Sequence, residues 1–192
     1  MTKLIAITLA FITVACSNND PRNAEIEVTD PILKAAALEA AQYWMRATDG
    51  DVFWSIIDKC EHNQYCITLK SGDLTWITTP ADEMGHGFSE HPYGRTRNHT
   101  ADFTLERNSF ITIDLLQVPK NQLYIMSIVT HELGHVLLRG VWHASKYGIS
   151  GDYGSEVMEP MGDLPGHGCI GQKSLARYES LYGKGDYQEE CW

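Results

Sequence analysis

The chain is short of basic residues and of long apolar runs. Its 192 residues hold 15 Lys and Arg against 25 Asp and Glu, for a formal net charge of −10. An acidic chain without a basic stripe excludes nucleic acid as the main partner and disfavours electrostatic docking on anionic lipid. The apolar run at residues 4–15 is too short for a membrane-spanning helix, which needs about 20 residues. With 43% hydrophobic residues, the composition predicts an ordinary globular protein.

The N-terminal segment has the pattern of an export signal. Lys3 precedes the apolar run of residues 4–15, an order typical of a secretory signal peptide. Thr13-Val14-Ala15-Cys16 resembles a bacterial lipobox, which implies that residues 1–15 are removed and that Cys16 is lipidated. We therefore expect export and a lipid anchor in the bacterial cell envelope, at the outer membrane or surface. Secretion with an unmodified Cys16 is the alternative. Residues 16–23 are predicted to be a polar tether and residues 24–192 the folded domain.

The remaining cysteines predict two disulfides. Four cysteines follow the lipobox, and an even number in an exported protein favours disulfide pairing. None has the C-x-x-C spacing of a thiolate metal site, which disfavours metal binding by sulfur. Four cysteines allow three pairings. We predict the local one, in which Cys60 pairs with Cys66 and Cys169 pairs with Cys191.

Hydrophobic periodicity predicts a single domain of the α/β (α+β) class. Asp30-Pro31 is typical of the start of a helix, as a capping side chain followed by proline in the first turn. Helices are predicted at residues 31–47, 121–139 and 172–182, and strands at 24–28, 52–57, 65–69, 74–78, 103–105 and 110–115. Residues 80–98 are predicted to form a long loop, and residues 140–171 to be largely irregular.

The most informative motif is His131-Glu132-Leu133-Gly134-His135, inside the predicted helix 121–139. Four residues advance a helix by about 400°, so the two histidines lie about 40° apart and about 6 Å apart along the axis. Both imidazoles can then bind one zinc ion at about 2.0–2.1 Å. Glu132 lies beside that ion, where a carboxylate can accept a proton from the attacking water. We predict one catalytic Zn²⁺ with Glu132 as the general base.

Two features near this motif refine the prediction. A glycine inside a helix costs about 1 kcal/mol relative to alanine, so Gly134 indicates a close-packed neighbour. A catalytic zinc also needs a third protein ligand. The helix is predicted to end at Arg139-Gly140, where a glycine can reverse the chain. We predict that His143 returns to the ion as this third ligand.

Taken together, these motifs resemble those of the metzincin zinc peptidases, in particular the matrixins. The resemblance rests on the His131–His135 helix, on Gly140-x-x-His143 and on the segment 155–160, and it covers roughly residues 24–183. It implies a twisted mixed sheet, a zinc-site helix, and an irregular lower half with a Met-turn and a C-terminal helix. Met158 matches the methionine of that turn, which forms an apolar floor under the zinc. The implied activity is hydrolysis of peptide bonds.

The resemblance leaves several alternatives open. The spacing between His135 and Gly140 is two residues longer than in metzincins, so Asp152 and Glu156 remain alternatives to His143. A gluzincin-like peptidase would use Glu156 or Glu159. A metal-binding surface lipoprotein without catalysis, and a purely structural lipoprotein, are rival classes. Tyr147 and Tyr153 are the candidates for stabilising the oxyanion, whereas Asp73, His86 and His99 are interpreted as loop residues rather than ligands of a second zinc.

The resemblance also implies the partners. We expect a protein or peptide substrate, bound as an extended strand along the edge of the sheet at residues 103–106. The chain is expected to act as a monomer and to contact the membrane only through its lipid anchor.

Overall fold

The computed structural model describes residues 20–61, 64–72, 94–98, 108–116, 118, 120–139, 156–158 and 168–192. For residues 94–98 only the backbone is described. The strands are β1 (Asn23–Glu27), β2 (Phe53–Ile57), β3 (Tyr65–Ser71), β4 (Gly94–Asn98), β5 (Asn108–Ile113), β6 (Cys169–Ile170) and β7 (Glu190–Cys191). The helices are α1 (Pro31–Ala47), α2 (Gln122–Leu137) and α3 (Gln172–Tyr182). All three helices agree closely with the ranges predicted from the sequence.

The main sheet is mixed, with strand order β2-β1-β3-β5-β4. The pairs β1–β2, β1–β3 and β3–β5 are parallel, whereas β4 runs antiparallel to β5. Parallel neighbours need a crossover connection, and α1 supplies it between β1 and β2. The predicted α/β class is therefore confirmed, with four parallel strands and one antiparallel strand.

Helix α1 packs against α2 and holds it in place. The Asp30 carboxylate accepts hydrogen bonds from the amides of Ile32 and Leu33, as the sequence predicted for the start of this helix. The buried face of α1 consists largely of alanines, whose small side chains allow a neighbouring helix to approach closely. The Trp44 indole Nε1 donates to the Thr130 carbonyl at 3.0 Å. This hydrogen bond joins the two helices one residue before the predicted zinc motif.

Helix α2 is buried on every side. The Asn121 side chain accepts from the Leu123 amide at its start, and every residue from Ile125 to Leu137 is buried. A helix that is buried all round belongs to the core of the domain. The helix ends at Leu137, and Arg139 just after it has a positive φ of 61°. Gly140, where the sequence predicted the reversal of the chain, lies outside the described residues.

The last part of the chain is fastened by a disulfide. The structure pairs Cys60 with Cys66 and Cys169 with Cys191, which is the local pairing predicted from the sequence. Strands β6 and β7 are antiparallel, and Cys169 lies opposite Cys191 in their register. The Trp192 indole Nε1 then donates to the Ser127 hydroxyl at 2.9 Å. The chain after α3 is thereby bound to α2.

One loop prediction is wrong in part. Residues 94–98, which were predicted to lie in a loop, form β4 and pair antiparallel with β5. The strand predicted at residues 103–105 lies outside the described residues. Strand β4 reads Gly-Arg-Thr-Arg-Asn and has no alternation of apolar residues. Edge strands are often polar or charged, since this protects an open edge from unwanted pairing. Hydrophobic periodicity therefore carries no signal for such a strand.

The predicted tether also extends too far into the chain. Residues 20–23 belong to the fold: the Trp54 indole donates to the Pro21 carbonyl at 2.7 Å, and Arg22 forms ion pairs with Asp20 and Asp51. Asn23 already begins β1. Residues 1–19, including the predicted signal peptide and Cys16, lie outside the described residues. Within the described ranges, no helix has the length and apolar character to cross a membrane.

Candidate active site

The two histidines of the motif face each other on α2. His131 is 0% exposed and His135 is 1% exposed. Their Nε2 atoms lie 2.9 Å apart, and the two rings are nearly perpendicular. Two nitrogens bound to one tetrahedral zinc at about 2.0–2.1 Å would be separated by about 3.3 Å. At 2.9 Å the two Nε2 atoms lie within hydrogen-bond distance of each other and about 0.4 Å closer than two such ligands, so a small shift of the rings would let both bind a single ion.

The orientation of His131 is set by a backbone carbonyl. Its Nδ1 atom lies 2.5 Å from the Val157 oxygen. A carbonyl only accepts hydrogen bonds, so Nδ1 is the protonated nitrogen and Nε2 keeps the lone pair that binds a metal. Sequence reasoning missed Val157, because it acts through its backbone and its side-chain type gives no signal.

Met158 lies against the turn of α2 that carries both histidines. Its side chain is fully buried. A β-carbon added to Gly134 would overlap the Met158 sulfur and would lie 3.0 Å from Cζ2 of Trp44. Met158 and Trp44 are thus the close-packed neighbours that the mid-helix glycine indicated. Only glycine leaves room for them at this position.

Glu132 is completely buried on α2, next to His131. Burying a carboxylate away from water is costly unless polar partners or a cation offset the loss of solvation. Consecutive residues of a helix are rotated by about 100°, so the side chain of Glu132 leaves α2 about 100° from that of His131. Glu132 therefore lies beside the row formed by the two histidines and not within it.

The C-terminal end of α2 is held by an aromatic and charged cluster. The Tyr182 hydroxyl donates to the Leu137 carbonyl at 2.8 Å, and the Arg22 and Arg139 guanidinium groups lie over its ring at 4.8 and 5.6 Å. Burial raises the pKa of Tyr182. Burial alone would also raise the pKa of Asp20, but hydrogen bonds and charge from Arg22 outweigh it and lower that pKa. The cluster thus holds the end of α2 and the side chain of Arg139.

Several predicted site residues lie outside the described residues. They include His143 and Asp152, as well as Glu159, Tyr147, Tyr153, Asp73, His86 and His99. Glu156 is described, and its carboxylate accepts hydrogen bonds from the amides of Gly171, Lys173 and Ser174 and from the Ser174 hydroxyl. These groups form the beginning of α3. The carboxylate is therefore already bound within the protein.

Another group of ligand types lies near the sheet. Among the described residues, Glu27, Cys60 and Cys66 have ligand atoms within 4.8 Å of one another. The two sulfurs form a disulfide, and the Glu27 carboxylate accepts from the Cys60 amide at 2.9 Å. A cysteine binds a metal ion as its thiolate, so this group offers no sulfur ligand while the disulfide is intact.

Strand β4 lies alongside α2 as well as β5. Within the described part of the chain, β4 pairs on one side only. Among the described strands, β4 is therefore the edge of the sheet next to the histidine helix. Residues 103–106, which the sequence predicted as that edge, lie outside the described residues.

Comparison of the chain with protein-family models and with curated proteins gave no match in either case.

Proposed function

We propose that the protein is a zinc-dependent endopeptidase of the metzincin type. The observation that carries the proposal is the histidine pair, whose Nε2 atoms lie 2.9 Å apart. The Val157 carbonyl supports it, because it leaves Nε2 of His131 as the metal-binding nitrogen. The packing of Met158 against Gly134 further matches an apolar floor under the ion.

The ligand set in this proposal is His131, His135 and His143. Two neutral imidazoles on one helical turn and a third from the following segment are a donor set that suits zinc. A bound zinc ion would lower the pKa of a coordinated water to about 7 and polarise the scissile carbonyl. The burial of His131 and His135 keeps bulk water away from these two donors.

Glu132 is proposed as the general base. It takes a proton from the water that attacks the scissile carbonyl and passes it to the leaving amine, which departs as a neutral group. Its place on α2 supports this role, because Glu132 directly follows His131 and its carboxylate starts beside the histidine pair.

The substrate in this proposal is an extended polypeptide. Strand β4 offers an edge next to α2, and a peptide could add to it through main-chain hydrogen bonds. Strand addition demands little of the substrate sequence, which suits an endopeptidase. We also propose that the protein is a monomer, and that it is exported and anchored to the membrane through a lipid on Cys16.

Two measurements test the proposal. The purified full chain in detergent should hold about one zinc per chain by native mass spectrometry, and it should hydrolyse casein in a chelator-sensitive manner. Glu132→Gln should keep the zinc and lose most of the turnover, since only the proton acceptor changes. Glu39→Gln is the matched control, because Glu39 is exposed on α1.

The outcomes separate the rival functions. A wild-type chain that neither carries nor takes up a transition metal contradicts the proposal. Zinc binding without hydrolysis in any form would favour the metal-binding lipoprotein. Hydrolysis by Glu132→Gln at the wild-type rate would show that Glu132 is not the base.

A further inference from the structure

Glu156 is bound to the beginning of α3 by four hydrogen bonds. Its Oε1 accepts from the amides of Lys173 at 2.8 Å and Ser174 at 3.3 Å. Its Oε2 accepts from the Gly171 amide at 3.2 Å and from the Ser174 hydroxyl at 2.6 Å. A carboxylate at the first turn of a helix forms charge-assisted hydrogen bonds with amides that have no partner within the helix.

The backbone of Gly171 lies close against this carboxylate. A β-carbon added to Gly171 would lie 2.7 Å from Oε1 of Glu156. The backbone of the same segment is held as well, since the Val157 amide donates to the Cys169 carbonyl at 2.6 Å. Glu156 is therefore held through its side chain, and Val157 through its main chain.

The two residues after Glu156 contact the histidine helix. The Val157 carbonyl accepts from Nδ1 of His131, and the Met158 side chain packs at Gly134. Glu156 directly precedes Val157, so a shift of the backbone at Glu156 would also shift the acceptor of His131 and would strain the hydrogen bond from the Val157 amide to Cys169. The segment 156–158 connects the beginning of α3 to the histidine pair.

We infer that Glu156 is a positioning residue and not a zinc ligand. It binds the segment 156–158 to α3, so that the Val157 carbonyl keeps Nδ1 of His131 protonated and Nε2 directed at its neighbour His135. The expected effect on zinc binding rests on the proposed function. The expected effect on the His131 ring does not, because the hydrogen bond between His131 and Val157 involves no metal.

The inference can be tested on the full chain labelled with ¹⁵N-histidine in detergent. The Nδ1–H signal of His131, assigned by its loss in His131→Gln, reports the bond to Val157 directly. In the zinc-free protein, Glu156→Ala should broaden or shift this signal. In the zinc-loaded protein, the same variant should weaken zinc binding by about 10–100-fold, as is usual for partners of metal ligands.

Milder variants give the controls. The zinc affinity of Glu156→Gln should stay within about threefold of the wild-type value, because the amide oxygen of the glutamine still accepts hydrogen bonds from α3. Ser174→Ala removes only the hydroxyl donor to Glu156. It should change the His131 signal in the same direction as Glu156→Ala does, but by a smaller amount. Lys173→Ala keeps its amide and should change neither the signal nor the affinity. If Glu156→Ala does not fold, Ser174→Ala decides, and no change in the His131 signal would overturn the inference.

The alternative role predicts a different pattern. If Glu156 binds the metal, Glu156→Gln and Glu156→Ala lose zinc equally, and the zinc-free His131 signal is unchanged in both. That result would overturn the inference. A wild-type chain that binds no zinc would contradict the proposed function, but the zinc-free signal would still decide whether Glu156 positions His131.

Discussion

The sulfur atom of Met158 lies in the space that a β-carbon on Gly134 would need. Gly134 directly precedes His135, and Met158 follows the residue whose carbonyl binds His131. A glycine inside a helix lowers its intrinsic stability. Here that cost permits the fully buried methionine to pack beneath the turn that carries both histidines.

Gly134→Ala should destabilise the protein by about 1–3 kcal/mol, because overpacking outweighs the gain of about 1 kcal/mol in helix propensity. Urea unfolding of the zinc-free protein measures the change. Gly134→Ala combined with Met158→Ala should cost less than the sum of the two single changes, since the neighbours share one space. A more stable Gly134→Ala protein would contradict the close packing.

Met158→Leu should be mild, since this change roughly conserves volume and costs under about 1.5 kcal/mol. Met158→Asp should be far more damaging, because it places a carboxylate at a fully buried position. Thermal unfolding of the two variants beside the wild type checks this. Equal tolerance of both would place the residue at the surface.

His143→Ala should lower zinc affinity by orders of magnitude, because two histidines alone rarely hold a catalytic zinc. Asp152→Ala should keep the metal and serves as the matched comparison. Native mass spectrometry of the two variants gives the result. A metal-free Asp152→Ala beside a loaded His143→Ala would assign the third ligand to Asp152.

Tyr182→Phe should destabilise the protein by about 1 kcal/mol, because it removes the hydrogen bond to the Leu137 carbonyl at the end of α2. Tyr187→Phe is the control, because the Tyr187 hydroxyl makes only longer hydrogen bonds, at 3.3 Å to the Gly183 carbonyl and at 3.4 Å to the Asp51 carboxylate. Urea unfolding should show a smaller loss for the control. An equal loss for both would indicate a general effect of removing a hydroxyl.

Stability should decline as the pH rises above about 10, the ordinary pKa of tyrosine. Burial, together with the hydrogen bond to Asp51, raises the pKa of Tyr178. The neutral hydroxyl is therefore favoured in the fold, and its contribution is fully present below about pH 10 and lost above it as the unfolded chain ionises. Tyr178→Phe should be less stable than wild type at about pH 8 and should show a shallower alkaline decline. Unfolding at about pH 8 and about pH 10.5 tests this.

The sequence predicts those elements whose signals are local. Asp30 and Pro31 specify the start of α1, and Gly183, with its φ of 99°, ends α3. The disulfide pairing followed from the number and proximity of the cysteines. Each of these predictions depends on residues that are close in the sequence, the most distant being Cys169 and Cys191, which are separated by 22 positions.

The features that escaped prediction depend on distant parts of the chain. Arg139 adopts a left-handed conformation next to a glycine, and its guanidinium lies over the ring of Tyr182 from another helix. Strand β4 lacks apolar alternation, so only its pairing with β5 defines it. Val157 contributes a carbonyl, which every residue possesses. In each case the determining contact is tertiary, and the residue type alone gives no signal for it.

The disulfide between Cys169 and Cys191 has a consequence for the order in which the protein matures. The Val157 amide is bound to the Cys169 carbonyl, and Cys169 is joined to a strand that follows α3. During synthesis the ribosome makes α2 before any of these residues. A nascent chain that has reached only α2 therefore has both histidines but neither the carbonyl that orients His131 nor the segment that secures it. The hydrogen bond that orients His131 can form only after Val157 has been made, and the disulfide that joins Cys169 to the end of the chain only after Cys191 has been made.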